Sequence, residues 1–232
     1  MLSQSEAVIY LADQRGCTES ELHRSFHTFN FGEYYRNDRL PFGKLEILND
    51  ETLAGESSVS LTADEFSSTL LIPLVGKVKY SVDGVSYGAS EAGQMHLIAA
   101  PAGSVVEITN PYVKDLVNFL HIQVITGERP QHVLVRKFDF DIDTKKNTLL
   151  HFEPPSTSEA AFPRVTIAKF DGRHEAMLTI REPAKGAFVF VIEGAFEVEN
   201  RLLQARDGLA ITKTDSVELE ALSNGAVVLV VE

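Results

Sequence analysis

Histidine and carboxylate side chains are the residues of this chain that could carry acid–base or metal chemistry. The sequence contains seven histidines, and two of them, His96 and His121, lie within short apolar runs typical of buried strands. We interpret His96 as a candidate pocket residue, since an imidazole in such a strand either makes a structural hydrogen bond or lines a site. His27 lies in an aromatic block, and we predict that it is a hydrogen-bonded structural residue.

Two other patterns resemble reactive sites but are better interpreted as surface structure. Residues 84–88 read GVSYG and match the GxSxG pattern of a nucleophilic serine. That pattern requires a strand-to-helix turn, whereas this copy lies at a predicted hairpin turn, Asp83-Gly84. Asp139, Asp141 and Asp143 alternate with apolar residues, which predicts the solvated face of one strand.

Composition limits the classes of partner and of chemistry. The 232 residues carry 33 acidic and 21 basic side chains, a net charge of −12, which disfavours nucleic acid and anionic membrane as direct partners. Cys17 is the only cysteine, so no internal disulfide or thiolate metal cluster is expected. The first residues lack the pattern of a signal peptide, and we predict a cytoplasmic protein. Oligomeric state stays open.

The elements that must position these residues are predicted to be strands. Most apolar runs are short, rich in Val, Ile, Phe and Thr, and separated by turn residues, which favours an all-β barrel or sandwich. Alternation is clearest in residues 77–82 and 217–222. Residues 18–25 are the exception, because Thr18 and Glu21 have the spacing of a helical capping box.

An internal repeat predicts two copies of one β-unit. Residues 71–82, LIPLVGKVKYSV, align with residues 189–199, VFVIEGAFEVE, so that Gly76 matches Gly194. We therefore predict one domain over residues 1–126 and a second over residues 127–232. The polar, proline-bearing stretch 153–163 is interpreted as a connection.

The motifs of the first half resemble those of a known family. Residues 26–35, FHTFNFGEYY, are followed by FGKLEILND at 42–50, and together they resemble the N-terminal signature of the pirin family. Pro101, Gly103 and Asn110 also match the second motif of cupins, PxGxxHxxxN. Pirins are bicupins, so the resemblance implies two tandem cupin barrels, that is, double-stranded β-helices of jelly-roll type. It covers roughly residues 7–126, and the second half more loosely.

The resemblance also implies a metal site, which this sequence lacks. Pirins hold iron or another divalent metal with three histidines and one glutamate in the N-terminal barrel. The matching positions here are Thr62, Asp64, Val106 and Ile108, so all three family histidines are absent. We therefore predict no cofactor, with Val106 and Ile108 facing the barrel interior and Thr62 and Asp64 nearer its mouth.

Three functions from different classes follow from the sequence. The first is a metal-free pirin-like protein that captures a small ligand or regulates a protein partner. The second is a cupin dioxygenase of the quercetin 2,3-dioxygenase type using iron or another divalent metal, which the missing histidines disfavour. The third is a metal-independent enzyme, for example an isomerase with Asp64 and His96 as acid and base.

Overall fold

The computed structural model describes residues 6–63, 67–127, 130–153 and 163–232. Strands dominate these residues, and a three-residue 3₁₀ turn at Ala12–Gln14 is the helical element among them. The strands of the first part of the chain are β1 Glu6–Tyr10, β2 Gly16–Glu19, β3 His23–His27, β4 Leu45–Leu53, β5 Ser58–Thr62, β6 Ser67–Val75, β7 Lys77–Val82, β8 Val85–Glu91, β9 Gln94–Ala99, β10 Val105–Thr109, β11 Val117–Ile125 and β12 Leu134–Asp139. Those of the second part are β13 Leu150–Phe152, β14 Val165–Phe170, β15 Glu175–Thr179, β16 Ala187–Glu193, β17 Phe196–Val198, β18 Arg201–Leu203, β19 Gly208–Thr212, β20 Ser216–Ala221 and β21 Ala226–Val231.

Two compact units have the predicted all-β bicupin architecture. The N-terminal barrel, within residues 16–140, pairs a seven-stranded sheet, β12-β9-β6-β11-β4-β3-β2, with a four-stranded sheet, β5-β10-β7-β8. The C-terminal barrel, formed by residues 6–15, 141–153 and 163–232, has sheets β1-β19-β16-β21-β14-β13 and β15-β20-β17-β18. All neighbouring strands are antiparallel. The described residues contain no helix of the length and apolarity that a membrane crossing requires.

The repeat seen in the sequence reappears as a shared strand order. The run β9-β6-β11-β4 of the first barrel corresponds to β19-β16-β21-β14 of the second. Gly76 follows β6 and Gly194 follows β16, with φ of 79° and 76°. A side chain at Gly194 would also lie 2.4 Å from the Ser223 hydroxyl, so glycine is required there by both conformation and space.

Two strands, β1 and β12, belong to a unit other than the one that a division after residue 126 would give them. Strand β1 pairs with β19 in the C-terminal barrel, in register from Glu6 opposite Thr212 to Tyr10 opposite Gly208. Strand β12 pairs with β9 in the N-terminal barrel. The prediction divided the chain between residues 126 and 127, whereas the compact units of the structure have β12 in the N-terminal barrel and β1 in the C-terminal barrel. The predicted connection lies mostly outside the described residues, in 154–162.

The predicted helix over residues 18–25 is wrong. Strands β2 and β3 form a hairpin there, with Thr18 opposite Ser25. The Ser20 hydroxyl accepts hydrogen bonds from the backbone N–H of Leu22 and His23, at 3.4 and 3.1 Å, so it closes the turn. Pairing of β3 with β4 outweighs the local helical signal.

The three alternating aspartates do not share one strand face, contrary to the sequence interpretation. Strand β12 ends at Asp139, and residues beyond it form a turn. The Asp141 carboxylate accepts hydrogen bonds from the backbone N–H of Asp143 and Thr144, each at 3.0 Å. Asp143 pairs instead with Lys169 at 2.6 Å.

Candidate functional site

A row of six side chains, five of them polar, crosses the inner face of the seven-stranded sheet of the N-terminal barrel. Its members occupy directly opposed positions on successive strands: Lys137 on β12, His96 on β9, Leu71 on β6, His121 on β11, Asn49 on β4 and His27 on β3. Leu71 packs in the same apolar cluster as Val106 and Ile108 of the other sheet, which sets the direction of the row. Since opposed residues share a face, the row follows the inner face of the barrel, with Lys137 exposed at its end.

Glu51 holds one histidine at each of its carboxylate oxygens. It follows Asn49 by two residues on β4 and therefore points to the same face. Its Oε2 lies 2.7 Å from His23 Nε2, and its Oε1 lies 3.9 Å from His121 Nδ1. Burial alone would raise the pKa of Glu51, but the hydrogen bond from His23 and the nearby imidazole of His121 lower that pKa to about 2. The carboxylate is thus ionised at neutral pH.

His96 is paired through one ring nitrogen with a tyrosine from the opposite sheet. Tyr80 on β7 places its hydroxyl oxygen 2.9 Å from His96 Nδ1. Burial raises the pKa of Tyr80 to about 12. Burial, and secondarily the charge of Lys137, lowers the pKa of His96 to about 4. Both groups are therefore neutral at neutral pH, with the tyrosine hydroxyl able to donate to the imidazole.

Several polar atoms of this inner row have no hydrogen-bond partner. They are His96 Nε2, both ring nitrogens of His121, and the amide oxygen and nitrogen of Asn49. All three side chains are about 1% exposed. A buried polar group without a partner costs roughly 1–3 kcal/mol, and such a group commonly marks a water, ion or ligand. Three such side chains on β9, β11 and β4 of one sheet are the strongest indication of a binding site in the described residues.

The positions matched to the pirin metal ligands do not gather metal-binding groups. Val106 and Ile108 on β10 are buried in the apolar core of the barrel, as predicted. Thr62 is exposed at the end of β5, and Asp64 lies outside the described residues. Within the described ranges, no group of three or more His, Cys, Asp or Glu side chains could hold a metal ion. Val106 and Ile108 therefore offer no side-chain atom that could bind a metal ion.

The remaining predicted residues have structural roles or lie outside the site. His27 is fully buried, with Thr18 Oγ1 3.0 Å from Nε2 and Ser25 Oγ 3.3 Å from Nδ1, which confirms the structural interpretation. Residues 84–88 lie at a hairpin turn and along β8, not at a strand-to-helix turn. The centre of the C-terminal barrel is an apolar cluster that includes Phe170, Phe196 and Leu219.

Glu51 and Asn49 are the site residues that the sequence analysis missed. The signal was in the strand LEILNDETL, residues 45–53. Its alternate positions 45, 47, 49, 51 and 53 share one face, and on that face the polar residues 49 and 51 stand between apolar ones. His121 was placed in a strand, but its neighbours could not be identified from that run alone. The acid–base pair expected from the sequence, Asp64 with His96, is not tested, because Asp64 is not described.

Comparisons with known proteins agree with this architecture. The family model described as the quercetinase C-terminal cupin domain matches residues 163–232. A relative from Pasteurella multocida is 22% identical over 225 residues, spanning 94% of this chain and 96% of its own length. A second, from Pseudomonas aeruginosa, is 23% identical over 217 residues, spanning 88% and 90%. Both are named "Putative quercetin 2,3-dioxygenase".

Solved structures show the same fold at low sequence identity. Bacterial pirin YhhW from Escherichia coli, in complex with nickel(II), superposes with a TM-score of 0.84 at 18% identity, covering 97% of this chain and 98% of that one. A quercetin 2,3-dioxygenase from Acinetobacter baumannii gives a TM-score of 0.73 at 14% identity, covering 99% and 87%. The resemblance inferred from residues 26–50 is thereby confirmed for the fold.

Proposed function

Because the chain is a pirin-like bicupin, we propose that its N-terminal barrel binds a small molecule through hydrogen bonds from protein side chains, without a metal ion. The observation that carries this proposal is the set of unpaired buried atoms on His96, His121 and Asn49. A ligand with complementary polar groups would satisfy them. Their retention in an otherwise apolar interior is costly unless such a partner is bound.

The side chains around these polar atoms indicate the chemistry of the ligand. Phe119, Leu71 and Val106 belong to the buried cluster that faces the polar row. Small-molecule sites typically combine such apolar walls with a few placed polar groups. A ligand with an apolar body and two or more hydrogen-bonding groups fits this lining best.

Metal independence rests on the residues at the family's ligand positions. Val106 and Ile108 offer no donor atom, and their burial contributes roughly 1.5–3 kcal/mol each. The relatives' name nevertheless makes quercetin a suitable probe, because it has an apolar ring system and several hydroxyl groups. The competing function, a metal-dependent dioxygenase, is separated by a second assay, which measures oxygen consumption in air with and without added metal.

The test is calorimetric titration of quercetin and of catechol into chelator-treated protein under anaerobic conditions. We expect saturable binding of at least one probe, weakened at least about tenfold by His121→Asn and by Asn49→Ala, a loss of about 1.4 kcal/mol or more. His151→Asn, in the C-terminal barrel, is the matched control and should bind normally. Failure of both probes to bind would contradict the proposal. Oxygen consumption that requires added Fe²⁺ or Ni²⁺ would favour the dioxygenase instead.

A further inference from the structure

We propose that the same inner row transfers protons on a bound carbonyl compound, with His121 as the base and His96 as the hydrogen-bond donor to the carbonyl oxygen. This inference rests on the proposed ligand site and adds an activity to it. The two imidazoles flank Leu71 on one face of the sheet, separated by two strand spacings, or about 10 Å between Cα atoms. A small ligand can contact both side chains from that distance.

His121 has the orientation of a base supported by a carboxylate. Its Nδ1 faces Glu51 Oε1 at 3.9 Å, an ion-pair distance that is longer than a hydrogen bond. The ionised carboxylate favours the tautomer with hydrogen on Nδ1, which leaves the lone pair on Nε2. That nitrogen has no partner in the structure. Glu51 is therefore a positioning residue, and its other oxygen binds His23, whose side chain is 25% exposed.

His96 has the complementary orientation. We assign the 2.9 Å contact to donation from the Tyr80 hydroxyl to Nδ1, which places the hydrogen of the neutral ring on Nε2. Nε2 is buried and unpaired, and it can donate to an oxygen of a ligand. A neutral imidazole donor next to a separate base is an arrangement that enzymes use to stabilise enolates.

The proposed step is balanced without an oxidant or a metal. His121 Nε2 removes a hydrogen from the carbon next to a carbonyl group, and the C–H electron pair moves to form the enolate. His96 Nε2–H donates a hydrogen bond to the enolate oxygen. If the hydrogen on His121 exchanges with solvent before a proton returns to the same carbon, the net result is α-hydrogen exchange. If the proton is delivered to a different atom of the enolate, the net result is tautomerisation. The substrate class is an enolisable small carbonyl compound.

The experiment is α-hydrogen exchange in D₂O with EDTA present, followed by proton NMR for phenylpyruvate, acetylacetone and dihydroxyacetone. We expect the protein to accelerate exchange of at least one probe over buffer, and His121→Asn to lower the rate about 10²-fold or more. Glu51→Gln should lower kcat at least about tenfold with KM nearly unchanged, since Glu51 acts through His121. His151→Asn, at an exposed position of β13 in the C-terminal barrel, is the control and should retain exchange.

Nitrogen NMR of the imidazoles supplies a second readout that needs no substrate. We expect His121 to carry its hydrogen on Nδ1 and His96 on Nε2. The reverse tautomers, no acceleration of any of the three probes, or acceleration that survives His121→Asn would each overturn the inference. Quercetin or catechol binding without exchange would overturn this activity alone, and the proposed binding function would stand.

Discussion

The Glu51 carboxylate is the most strongly held charged group of the N-terminal barrel. It is 2% exposed and has an imidazole at each oxygen. Its pKa falls from the ordinary value of 4.5 to about 2 in the folded protein. A depressed carboxyl pKa stabilises the folded state above the unfolded pKa, and this stabilisation is lost as the pH falls toward the folded value.

Acid stability should therefore depend on Glu51. Lowering the pH from about 4.5 to 2 should remove roughly 3 kcal/mol of unfolding free energy through this group, and Glu51→Gln should abolish that part of the dependence. Urea unfolding at pH 7, 4.5 and 2 measures both. Glu197→Gln, an exposed position on β17, is the control. An unchanged acid profile in Glu51→Gln would contradict the assignment.

The Tyr80–His96 hydrogen bond should contribute measurably to stability. Tyr80→Phe leaves His96 Nδ1 unpaired in addition to Nε2, and we expect a loss of about 1–3 kcal/mol in unfolding free energy. Tyr35→Phe removes a hydroxyl from a side chain that is 69% exposed and should change stability by less than about 0.5 kcal/mol. Denaturant melts of the two variants compare them directly; equal stabilities would show that the buried bond contributes nothing.

The sequence identified some of the site residues and missed others for a physical reason. His96 could be recognised because a histidine in an apolar strand is unusual. Val106 and Ile108 could be placed on β10 because the second cupin motif sets their positions relative to Pro101 and Gly103. Glu51 could not, because the identity of its partners depends on sheet register. His23 lies 28 positions away and His121 lies 70 positions away along the chain, and strand pairing alone brings them to one carboxylate.

At the scale of single elements, the β7–β8 hairpin depends on two residues with positive φ. Asp83 and Gly84 have φ of 49° and 77°, which matches the predicted two-residue turn. Asp83 also accepts a hydrogen bond from the backbone N–H of Val105 at 2.8 Å, which ties the turn to β10. Turn chemistry of this kind is local, so the sequence alone was sufficient to predict it.

Substitution of Gly84 should cost backbone strain and little else. No atom lies within 4 Å of a side chain built at Gly84, so Gly84→Ala should lose about 1 kcal/mol from the positive φ alone. Gly84→Asn should lose less, because asparagine tolerates this conformation. Thermal or urea unfolding of both variants tests the order. A larger loss for asparagine than for alanine would contradict it.

The β2–β3 hairpin shows where local signals fail. Thr18 and Glu21 have helical capping spacing, yet His23, Ser25 and His27 direct every second side chain inward from β3. Burial of Ser25 and His27 against β4 stabilises this segment as a strand. That burial depends on tertiary packing, so local helix propensity cannot predict it.

At the scale of the whole molecule, we expect metal binding to contribute nothing to the free energy of unfolding. The melting temperature should be the same with EDTA, without it, and with equimolar Fe²⁺ or Ni²⁺, within about 1 °C, because ligand-linked stabilisation requires a site that binds the folded state. Differential scanning calorimetry provides the comparison. A rise of several degrees at stoichiometric metal would show that donor groups had been misplaced.

Removal of residues 1–15 should destabilise the C-terminal barrel. The truncation uncovers the edge of β19 and removes Tyr10, whose ring lies 5.4 Å from that of Phe188 in an edge-to-face contact. It also removes the hydrogen bond from Ala12 N–H to Asp207. We expect a separate, lower melting transition for this barrel, resolved by calorimetry. A single unchanged transition would mean that β1 is dispensable.

The pairing of β1 with β19 also imposes an order on biosynthesis. The ribosome makes β1 first, and its partner, residues Gly208–Thr212, emerges about 200 residues later. At roughly 5–20 residues per second, β1 waits on the order of 10–40 s without its neighbour. The described strands of the N-terminal barrel end at Asp139, so this barrel can close during that interval. Once residues as far as Asp139 have left the ribosome, the nascent chain should contain one folded barrel and, before it in the sequence, a strand whose partner has not yet been translated.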